Sequence, residues 1–178
     1  MKLTGSRTEA NLRSAISGEA QAALLYELFE KKARKDGFEQ IASIFRETAK
    51  NEKAHAEIYF GILKCLHATD QNLFSAVESE RHECAVMYPE FARIAREEGF
   101  EEIAKVFEMV SCIEAEHQKR FEKFGNLVRN NAVFSKGEEV VWICANCGHR
   151  HKGVNPPDLC PVCRRPIAYF APCEEKDK

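Results

Sequence analysis

The chain has 178 residues, of which 44% are hydrophobic and 30% are charged, and this composition is typical of a globular protein with one ordinary domain and a smaller one. Its net charge of −2 gives no electrostatic basis for binding nucleic acid or an anionic membrane. The longest apolar runs are a few residues, which excludes a transmembrane helix, and the N-terminus lacks the hydrophobic core of a signal peptide. We therefore expect a cytoplasmic protein whose eight cysteines are reduced and available to metals.

Helical periodicity predicts four helices, at about residues 6–35, 38–66, 70–97 and 100–129. Gly37 and Gly99 mark helix ends, because glycine readily adopts the left-handed conformation of a C-terminal cap. Pro89 falls inside the third helix and should kink or split it. We predict a mainly α fold in which residues 1–130 form a four-helix bundle and residues 131–178 a small second domain. The sequence ends in EEKDK, which we interpret as a solvated tail.

One stretch of the chain nearly recurs: GFEQIASIFRETAKNEKAH, which begins at Gly37, returns as GFEEIAKVFEMVSCIEAEH. The second copy begins at Gly99, which is 62 residues further on. Each copy ends in a Glu-x-x-His pair. One such pair on a helix is usually a chance feature of a solvated face, but its return in register indicates a shared role for the two copies.

Each predicted helix carries a glutamate in the middle of an apolar stripe. At seven-residue spacing, which returns to nearly the same face, the stripes are Leu12–Glu19–Tyr26, Phe45–Glu52–Tyr59, Leu73–Glu80–Met87–Ile94 and Phe107–Glu114–Phe121. These stripes should face the core, so the four glutamates are expected to point inward. His55 and His117 each follow one of them by three residues, a spacing at which two side chains can share a ligand site. Glu83 has the same relation to Glu80, although it could also lie exposed on a tilted face.

Five glutamates and two histidines would then converge at one level of the bundle. Burial of so many carboxylates is untenable unless cations compensate them, and two divalent metals nearly balance their charge. Carboxylate and imidazole ligands suit iron or manganese. The sequence therefore predicts a dinuclear metal site with the ligands Glu19, Glu52, His55, Glu80, Glu83, Glu114 and His117.

The second domain contains two Cys-x-x-Cys motifs, CANC at 144–147 and CPVC at 160–163. Two such motifs bring four thiolates into a tetrahedron around zinc or iron. Gly148 after the first motif and Pro161 inside the second favour iron, because turns of this type point backbone N–H groups at sulfur. A structural zinc ribbon is the alternative. The predicted ligands are Cys144, Cys147, Cys160 and Cys163.

Taken together, these motifs resemble the rubrerythrin family over nearly the whole chain. The matching stretches are SGEAQAALLY (17–26), ETAKNEKAH (47–55), ESERHECAVMYPEFARIAREEG (78–99), EAEHQKRF (114–121) and the CANCGH…LCPVC ending. The resemblance implies a ferritin-like bundle with a non-haem di-iron site, followed by a rubredoxin-like domain with one iron held by four cysteines. It also implies reduction of hydrogen peroxide to water, with electrons from NAD(P)H that arrive through a separate reductase or rubredoxin.

The same resemblance implies roles for individual residues. It maps the di-iron ligands onto the seven residues predicted above. It implies that Glu83 replaces His55 as a ligand when the site is oxidised, so both residues take part in catalysis. Tyr26 and Tyr88 would hydrogen-bond to ligand carboxylates. A homodimer, in which the rubredoxin-like domain of one chain serves the partner's di-iron site, is also implied.

One residue departs from the family pattern: Arg164 follows CPVC at a position where free rubredoxins usually have glycine. We therefore expect one backbone N–H donor near the thiolates to be placed differently.

Two other functions fit part of the sequence. A ferroxidase or oxygen-reducing iron-handling protein needs only the helical site, and the fused electron-transfer centre argues against it because iron storage needs no electron supply. A zinc-ribbon adaptor for protein or nucleic acid would need only the cysteines, and the absence of a basic patch argues against nucleic acid.

Overall fold

The computed structural model describes residues 2–173, and most of these residues are helical. The chain divides into two compact units, one ending at His67 and the other beginning at Ala68. In the described part of the chain, no helix combines the length and apolar character needed to cross a bilayer. The EEKDK segment, predicted to be a solvated tail, lies outside the described residues.

The first unit is a hairpin of two long helices, α1 (Arg7–Lys35) and α2 (Glu39–Leu63). Helix α1 begins after Ser6, whose side chain accepts a hydrogen bond from the backbone N–H of Glu9 at 3.1 Å. The turn after α1 contains Gly37 with a φ of 86°, in the left-handed conformation predicted for it. Because the connection is only three residues long, the two helices run antiparallel.

Small side chains line the contact between α1 and α2. The buried residues of the pair are Ala23, Ala33, Ala42, Ala49 and Ala56. Alanines at a helix crossing allow the two backbones to approach closely. An aromatic cluster of Tyr26, Phe29 and Phe45 also joins the two helices, with ring centroids 5.4–6.3 Å apart. Lys53 of α2 also forms an ion pair with Glu27 of α1.

In the second unit, the predicted third helix is divided into three parts. These are α3 (Thr69–His82), a π-helical segment (Glu83–Met87) and α4 (Tyr88–Glu97), and they pack against α5 (Glu101–Arg129). Pro89 lies in the first turn of α4, immediately after the π-helical segment, so the predicted interruption occurs at this proline. A π-helical turn is a frequent feature of functional sites in α-helices.

Proline also explains a contact between the π-helical segment and α5. The backbone N–H of Tyr88 donates to the carbonyl of Glu83, five residues back. The same pattern would pair the carbonyl of Cys84 with Pro89, which has no N–H. The hydroxyl of Ser111 in α5 donates to this carbonyl instead, at 2.9 Å, and so satisfies a backbone group that the helix leaves without a donor.

The 62-residue repeat extends to the aromatic clusters of the two units. Each residue of the first cluster has a counterpart 62 residues later, and the second cluster is Tyr88, Phe91 and Phe107, with centroids 5.6–6.2 Å apart. The glutamates follow a different offset, because Glu19 precedes Tyr26 by seven residues whereas Glu80 precedes Tyr88 by eight. The π-helical segment accommodates this one extra residue.

The extra residue also changes which side chains of α4 face α5. A constant seven-residue spacing predicts that Ile94 continues the apolar stripe, but this side chain is 38% exposed. Ala95, one residue further, is buried at 6% together with Ala92 and Ala104. The stripe prediction is therefore wrong for Ile94, because the π-helical turn rotates the rest of the helix by about one residue.

The C-terminal residues form a three-stranded antiparallel sheet in the order β2–β1–β3. The strands are β1 (Val140–Cys144), β2 (Arg150–Gly153) and β3 (Phe170–Pro172), with a 3₁₀ turn (Ile167–Tyr169) before β3. Its buried core consists of Trp142, Cys144, Cys160 and Phe170. The domain boundary predicted near residue 130 falls between α5 and β1 and stays a prediction, since the contacts divide the chain after His67.

Candidate metal centres

Three of the predicted ligands meet in the first unit. The Nδ1 atom of His55 lies 2.9 Å from an oxygen of Glu52 and 3.8 Å from an oxygen of Glu19. One ligand atom from each of these residues lies within 4.8 Å of the others. Bonds of about 2.0–2.2 Å from nitrogen and oxygen ligands can bring such atoms to a single cation. The donor set of two carboxylates and one imidazole fits iron.

A second group with the same composition forms in the other unit. The Nδ1 atom of His117 lies 2.6 Å from an oxygen of Glu114 and 3.6 Å from an oxygen of Glu80. Its ligand atoms also lie within 4.8 Å of one another. Each helical unit therefore holds one Glu, Glu, His group, and the two groups have nearly the same internal distances. The assignment of all seven predicted ligands to one dinuclear site stays a prediction.

Glu83, the seventh predicted ligand, belongs to neither three-residue group. It is the first residue of the π-helical segment, and its Oε1 accepts a hydrogen bond from the hydroxyl of Ser79 at 3.2 Å. Its charge nevertheless acts on the neighbouring group, because it contributes to raising the pKa of Glu80 after desolvation and Glu114. The carboxylate is therefore close enough to influence the second group while its own oxygen is held by a serine.

Tyr26 and Tyr88 lie in the equivalent aromatic clusters of the two units. Among residues 2–173, the structure has no hydrogen bond from either hydroxyl to one of the six grouped residues. Their predicted role as donors to ligand carboxylates therefore stays a prediction.

The carboxylates in both groups respond to one another electrostatically. The carboxyl group of Glu52 shares a hydrogen bond with Glu19 and, with desolvation, raises the pKa of Glu19 above its usual value of 4.5. Desolvation and then the adjacent Glu114 raise the pKa of Glu80 in the same way. Protons and divalent cations compete for such close pairs of carboxylates, so each group favours binding a cation at neutral pH.

These shifts predict that the metal-free protein loses thermal stability as the pH rises from about 5 to 7. Because the pKa values of Glu19 and Glu80 are raised by folding, the folded chain holds protons in this window that the unfolded chain has released, and raising the pH favours unfolding. Carboxylates whose pKa is lowered by ion pairs, such as Glu108 beside Arg96, titrate below 4.5 and leave the window unaffected. Calorimetry of chelator-treated protein across this range measures the fall in Tm.

Two comparisons make this pH prediction specific. The double variant E19Q/E80Q should flatten the dependence, since neither amide titrates. Iron-loaded protein should also lack the fall, because bound cations replace the protons. A Tm of the metal-free protein that rises with pH between 5 and 7 contradicts the prediction.

The four cysteines of the two Cys-x-x-Cys motifs come together next to β1. The Sγ atoms of Cys144 and Cys163 lie 3.7 Å apart, and those of Cys147 and Cys160 lie 3.6 Å apart. A tetrahedron with metal–sulfur bonds of about 2.3 Å has edges of about 3.8 Å, so the thiols fit a single metal ion. The separations are far longer than a disulfide bond of about 2.05 Å. We call this group the four-cysteine site.

Backbone N–H groups and neighbouring thiols shift the pKa values of these cysteines in different directions. The backbone N–H of Arg165 lowers the pKa of Cys163 to about 6. At Cys147 the N–H of His149 acts in the same direction, but desolvation and the neighbouring thiols raise the pKa to about 12. Four thiols at this distance cannot all ionise without a cation between them, which supports a metal at the four-cysteine site.

The turn after the second motif corrects one expectation. Arg164 adopts the left-handed conformation with a φ of 61°, close to the 74° of Gly148 in the equivalent turn. Its N–H donates to the carbonyl of Cys160 at 2.9 Å, as that of Gly148 does to Cys144 at 2.8 Å. The donor is therefore not displaced. The arginine takes the glycine conformation at a cost of about 1–2 kcal/mol.

Family models match both parts of the chain. A model described as Rubrerythrin matches residues 10–125 and 71–140, and a model of the rubredoxin-like domain of rubrerythrin matches residues 142–171. The chain belongs to the rubrerythrin family. Rubrerythrin of Nitratidesulfovibrio vulgaris is 43% identical to it over 94% of this chain and 95% of that protein. Rubrerythrin of Porphyromonas gingivalis is 40% identical over 96% of this chain and 92% of that protein.

A solved structure of nigerythrin in a mixed-valence state is also similar in sequence. It is 32% identical and covers 97% of this chain and 88% of that chain, with a TM-score of 0.36. A score this low adds nothing to the comparison, so the sequence alone relates the two proteins.

Membership of the rubrerythrin family confirms the predicted fold class: mainly α and ferritin-like, followed by a rubredoxin-like domain with four metal-binding cysteines. It also confirms the predicted cofactors, a di-iron site and a rubredoxin-like iron site, for which the four-cysteine site and the two Glu, Glu, His groups supply fitting ligands. Rubrerythrins are in general oxidoreductases that handle iron in oxidative-stress protection, and they receive electrons from rubredoxin-like partners.

Sequence analysis missed three residues, two acting through side chains and one through its backbone, that the structure places near the predicted ligands. Ser79 holds Glu83, Ser111 satisfies the backbone beside it, and the N–H of Arg165 reaches Cys163. One signal was present, namely the eight-residue spacing from Glu80 to Tyr88, which predicts an extra residue and so a π-helical turn near Glu83.

Proposed function

We propose that the protein is a cytoplasmic, homodimeric non-haem di-iron peroxidase that reduces hydrogen peroxide to water. Its electrons come from NAD(P)H through a separate reductase or rubredoxin and enter at the four-cysteine site. The observation that supports this best is the presence, in one chain, of a preformed four-cysteine site and two equivalent Glu, Glu, His groups. A site that only stores iron has no use for a fused electron-transfer centre.

In this proposal the helical ligands are divided between two irons. They would be Glu19, Glu52, His55, Glu80, Glu83, Glu114 and His117. The ferrous irons, when bound, supply the two electrons that cleave the O–O bond of peroxide. The histidines are oriented by the carboxylates: Nδ1 of His117 is 2.6 Å from Glu114, and Nδ1 of His55 is 2.9 Å from Glu52.

Glu83 is the mobile ligand in this proposal. The contact that supports this role is its hydrogen bond to Ser79, because an oxygen held by a neutral hydroxyl can leave that partner at small energetic cost. Its position at the start of a π-helical turn supports the role as well, since such turns occur frequently at functional sites. On oxidation Glu83 would move in to neutralise added charge and take the place of His55. Tyr26 and Tyr88 would hold the remaining carboxylates in position.

Anaerobic stopped-flow spectroscopy tests the function directly. The iron-loaded protein is fully reduced and mixed with hydrogen peroxide or, separately, with oxygen, and the return of the red absorbance of the ferric four-cysteine site is followed. We expect a much faster return with peroxide than with oxygen. A slower return with peroxide than with oxygen would reject the peroxidase and favour a ferroxidase or oxygen-reducing protein. The variant E83A should bind iron normally but return slowly, and normal turnover in this variant would reject the role of Glu83.

A further inference from the structure

In the described part of the chain, the four-cysteine site reaches the surface at two of its four cysteines. Cys144 and Cys160 are fully buried in the core of the sheet, at 0% exposure. Cys147 is exposed and Cys163 is half-buried. The second cysteine of each motif therefore forms the edge through which an electron would enter from outside.

The surface next to this edge combines an apolar side chain with two cations. Val162, between the last two cysteines, is 66% exposed, and the exposed Arg164 and Arg165 follow directly. We call these three residues the arginine edge. From Val140 to Cys173 the chain has four basic residues, namely Arg150, Lys152, Arg164 and Arg165, and one acidic residue, Asp158. Over residues 131–178 as a whole, seven basic residues nearly balance six acidic ones, so the positive excess is confined to the segment between Val140 and Cys173.

The two arginines have no carboxylate partner in the described part of the chain. Most arginines of the helices have one: Arg93, for example, lies between Glu90 and Glu97, and Arg96 contacts Glu108 at 2.7 Å. Neither Arg164 nor Arg165 has a carboxylate within 4.0 Å among residues 2–173, and Arg165 instead stacks over Tyr169 at 5.0 Å. Both guanidinium groups are therefore available to carboxylates of another molecule.

The backbone of Arg164 adopts a conformation that arginine disfavours. It adopts a left-handed φ of 61°, a conformation in which glycine would be unstrained. A strained residue at a functional edge justifies a hypothesis about function when its side chain has a use there. Here the strain places a permanent cation beside the exposed cysteine edge.

We propose that the arginine edge is the docking surface for a small acidic electron-transfer protein. The proposal rests on the proposed function, in which a separate protein of this kind donates the electrons. Its carboxylates pair with Arg164 and Arg165, and Val162 forms the apolar centre of the contact. A rim of charges of this kind mainly accelerates encounter and orients the partner. The partner, docked over Cys147 and Cys163, gives one electron to the four-cysteine site; its carrier is oxidised by one electron as ferric iron becomes ferrous.

An acidic flavodoxin is a suitable probe, because its flavin absorbs differently from a ferric tetrathiolate. Flavodoxin hydroquinone is mixed anaerobically with the oxidised, iron-loaded protein, and loss of the red absorbance is followed as the flavin becomes the semiquinone. The second-order rate constant should fall steeply as ionic strength rises from 0.01 to 0.2 M, a range in which the Debye length falls from about 30 Å to below 10 Å. The variant R164N/R165Q should react about tenfold more slowly at low salt and converge with the wild type at high salt.

The variant and its control are matched in charge. Asparagine tolerates the left-handed conformation at position 164, so the turn is kept. The control K105Q/K152Q also removes two positive charges, but Lys105 lies on α5, and Lys152 pairs with Val141 at the end of β1 away from Cys144. We expect the control to change the rate constant less than twofold. An equal effect of both variants would show that net charge, and not the arginine edge, steers the partner, and would overturn the proposal.

Three further outcomes are decisive. If R164N/R165Q slows reduction by the same factor at every ionic strength, the arginines act on the iron centre itself and the docking proposal fails. If the variant changes the sedimentation mass of the protein, a second copy of the chain covers this edge and the proposal fails. Isothermal titration with oxidised flavodoxin, which involves no turnover, should give weaker binding for the variant than for the control.

Failure of the docking proposal is distinguishable from failure of the proposed function. Chemically reduced protein mixed with peroxide requires no partner, and both substitutions keep the backbone N–H groups at the four-cysteine site, so R164N/R165Q should be reoxidised at the wild-type rate. Fast reoxidation without salt-dependent reduction by flavodoxin overturns the docking surface and leaves the peroxidase intact. Slow reoxidation with salt-dependent reduction overturns the peroxidase and supports the arginine edge as an electron entry point.

Discussion

Replacement of Glu114 with glutamine is expected to lower the iron content of the helical site and to slow reoxidation by peroxide by about a hundredfold or more. The loss of a partner that only orients a ligand typically costs about 10–100-fold in metal affinity, and Glu114 is proposed to be a ligand itself. The substitution keeps the size of the side chain but removes a negative charge. It also removes the carboxylate that lies 2.6 Å from Nδ1 of His117.

The same helix offers a matched control, because Glu116 lies two residues further along α5. Its side chain is 67% exposed and pairs with Lys119 at 2.7 Å, an exposed contact worth about 0–1 kcal/mol. We expect E116Q to bind iron and react with peroxide as the wild type does. Elemental analysis and stopped-flow measurements compare the two variants. Full iron content and a wild-type rate in E114Q would remove Glu114 from the proposed ligand set.

The first copy of the repeat should behave in the same way. E52Q is expected to match E114Q in iron content and rate, since Glu52 stands to His55 as Glu114 stands to His117. A large difference between the two variants would show that the two groups, despite their similar distances, do not contribute equally to one centre.

The helices and both kinds of metal group could be predicted from the sequence because they depend on spacing. Three residues in a helix bring Glu114 and His117 to one face wherever the helix lies. The left-handed turn at Gly37 follows from a preference that is local to one residue. Two Cys-x-x-Cys motifs similarly need only two tight turns and a shared metal. Such local features are predicted correctly even when the rest of the fold is predicted wrongly.

Predictions that assumed a regular helix over a long span were less successful. Seven-residue spacing places Ile94 on the stripe through Glu80, but one extra residue of π-helix intervenes and Ala95 is the buried residue. Pro89 gave the position of the interruption but not its type, because a proline allows a kink, a break or a π-helical turn. The π-helical turn also depends on α5, whose Ser111 supplies a donor for the carbonyl of Cys84.

Side-chain conformations could not be predicted from the sequence for a different reason. The hydrogen bond between Ser79 and Glu83 depends on which of several nearly equivalent rotamers is adopted. The left-handed Arg164 shows that a glycine preference of about 1–2 kcal/mol is not a prohibition. The N–H of Arg164 donates to the carbonyl of Cys160 and closes the turn around the four-cysteine site. This closure outweighs a conformational cost of this size.

Replacement of Cys160 with alanine is expected to remove the iron of the four-cysteine site and unfold the C-terminal domain while leaving the helices folded. The segment from β1 to β3 spans 33 residues, Val140–Pro172, and domains below about 40 residues usually need a metal, a disulfide or a partner to fold. Its buried core has only four members, Trp142, Cys144, Cys160 and Phe170, and two of them are metal ligands. Metal binding and folding of this domain are therefore one process.

Hydrogen exchange and absorbance together test this expectation. In C160A the red absorbance should be absent and the amides of β1, which pair with β2 and β3, should exchange rapidly, while those of α5 stay protected. The variant C112A changes a cysteine of α5 that lies outside the four-cysteine site, and it should keep both the absorbance and the protection. Protected β1 amides in C160A would show that the sheet folds without its metal.

The same variant separates electron supply from chemistry at the helical groups. Chemically reduced C160A still has all seven proposed di-iron ligands, so a single reaction with peroxide should consume its two reducing equivalents. Continuous turnover with a reduced protein donor should be lost, because the proposed entry point for electrons is gone. If continuous turnover persisted, electrons would reach the helical groups without the four-cysteine site, and the fused domain would need another explanation. The contrast between one reaction and many therefore measures what the rubredoxin-like domain contributes to this chain.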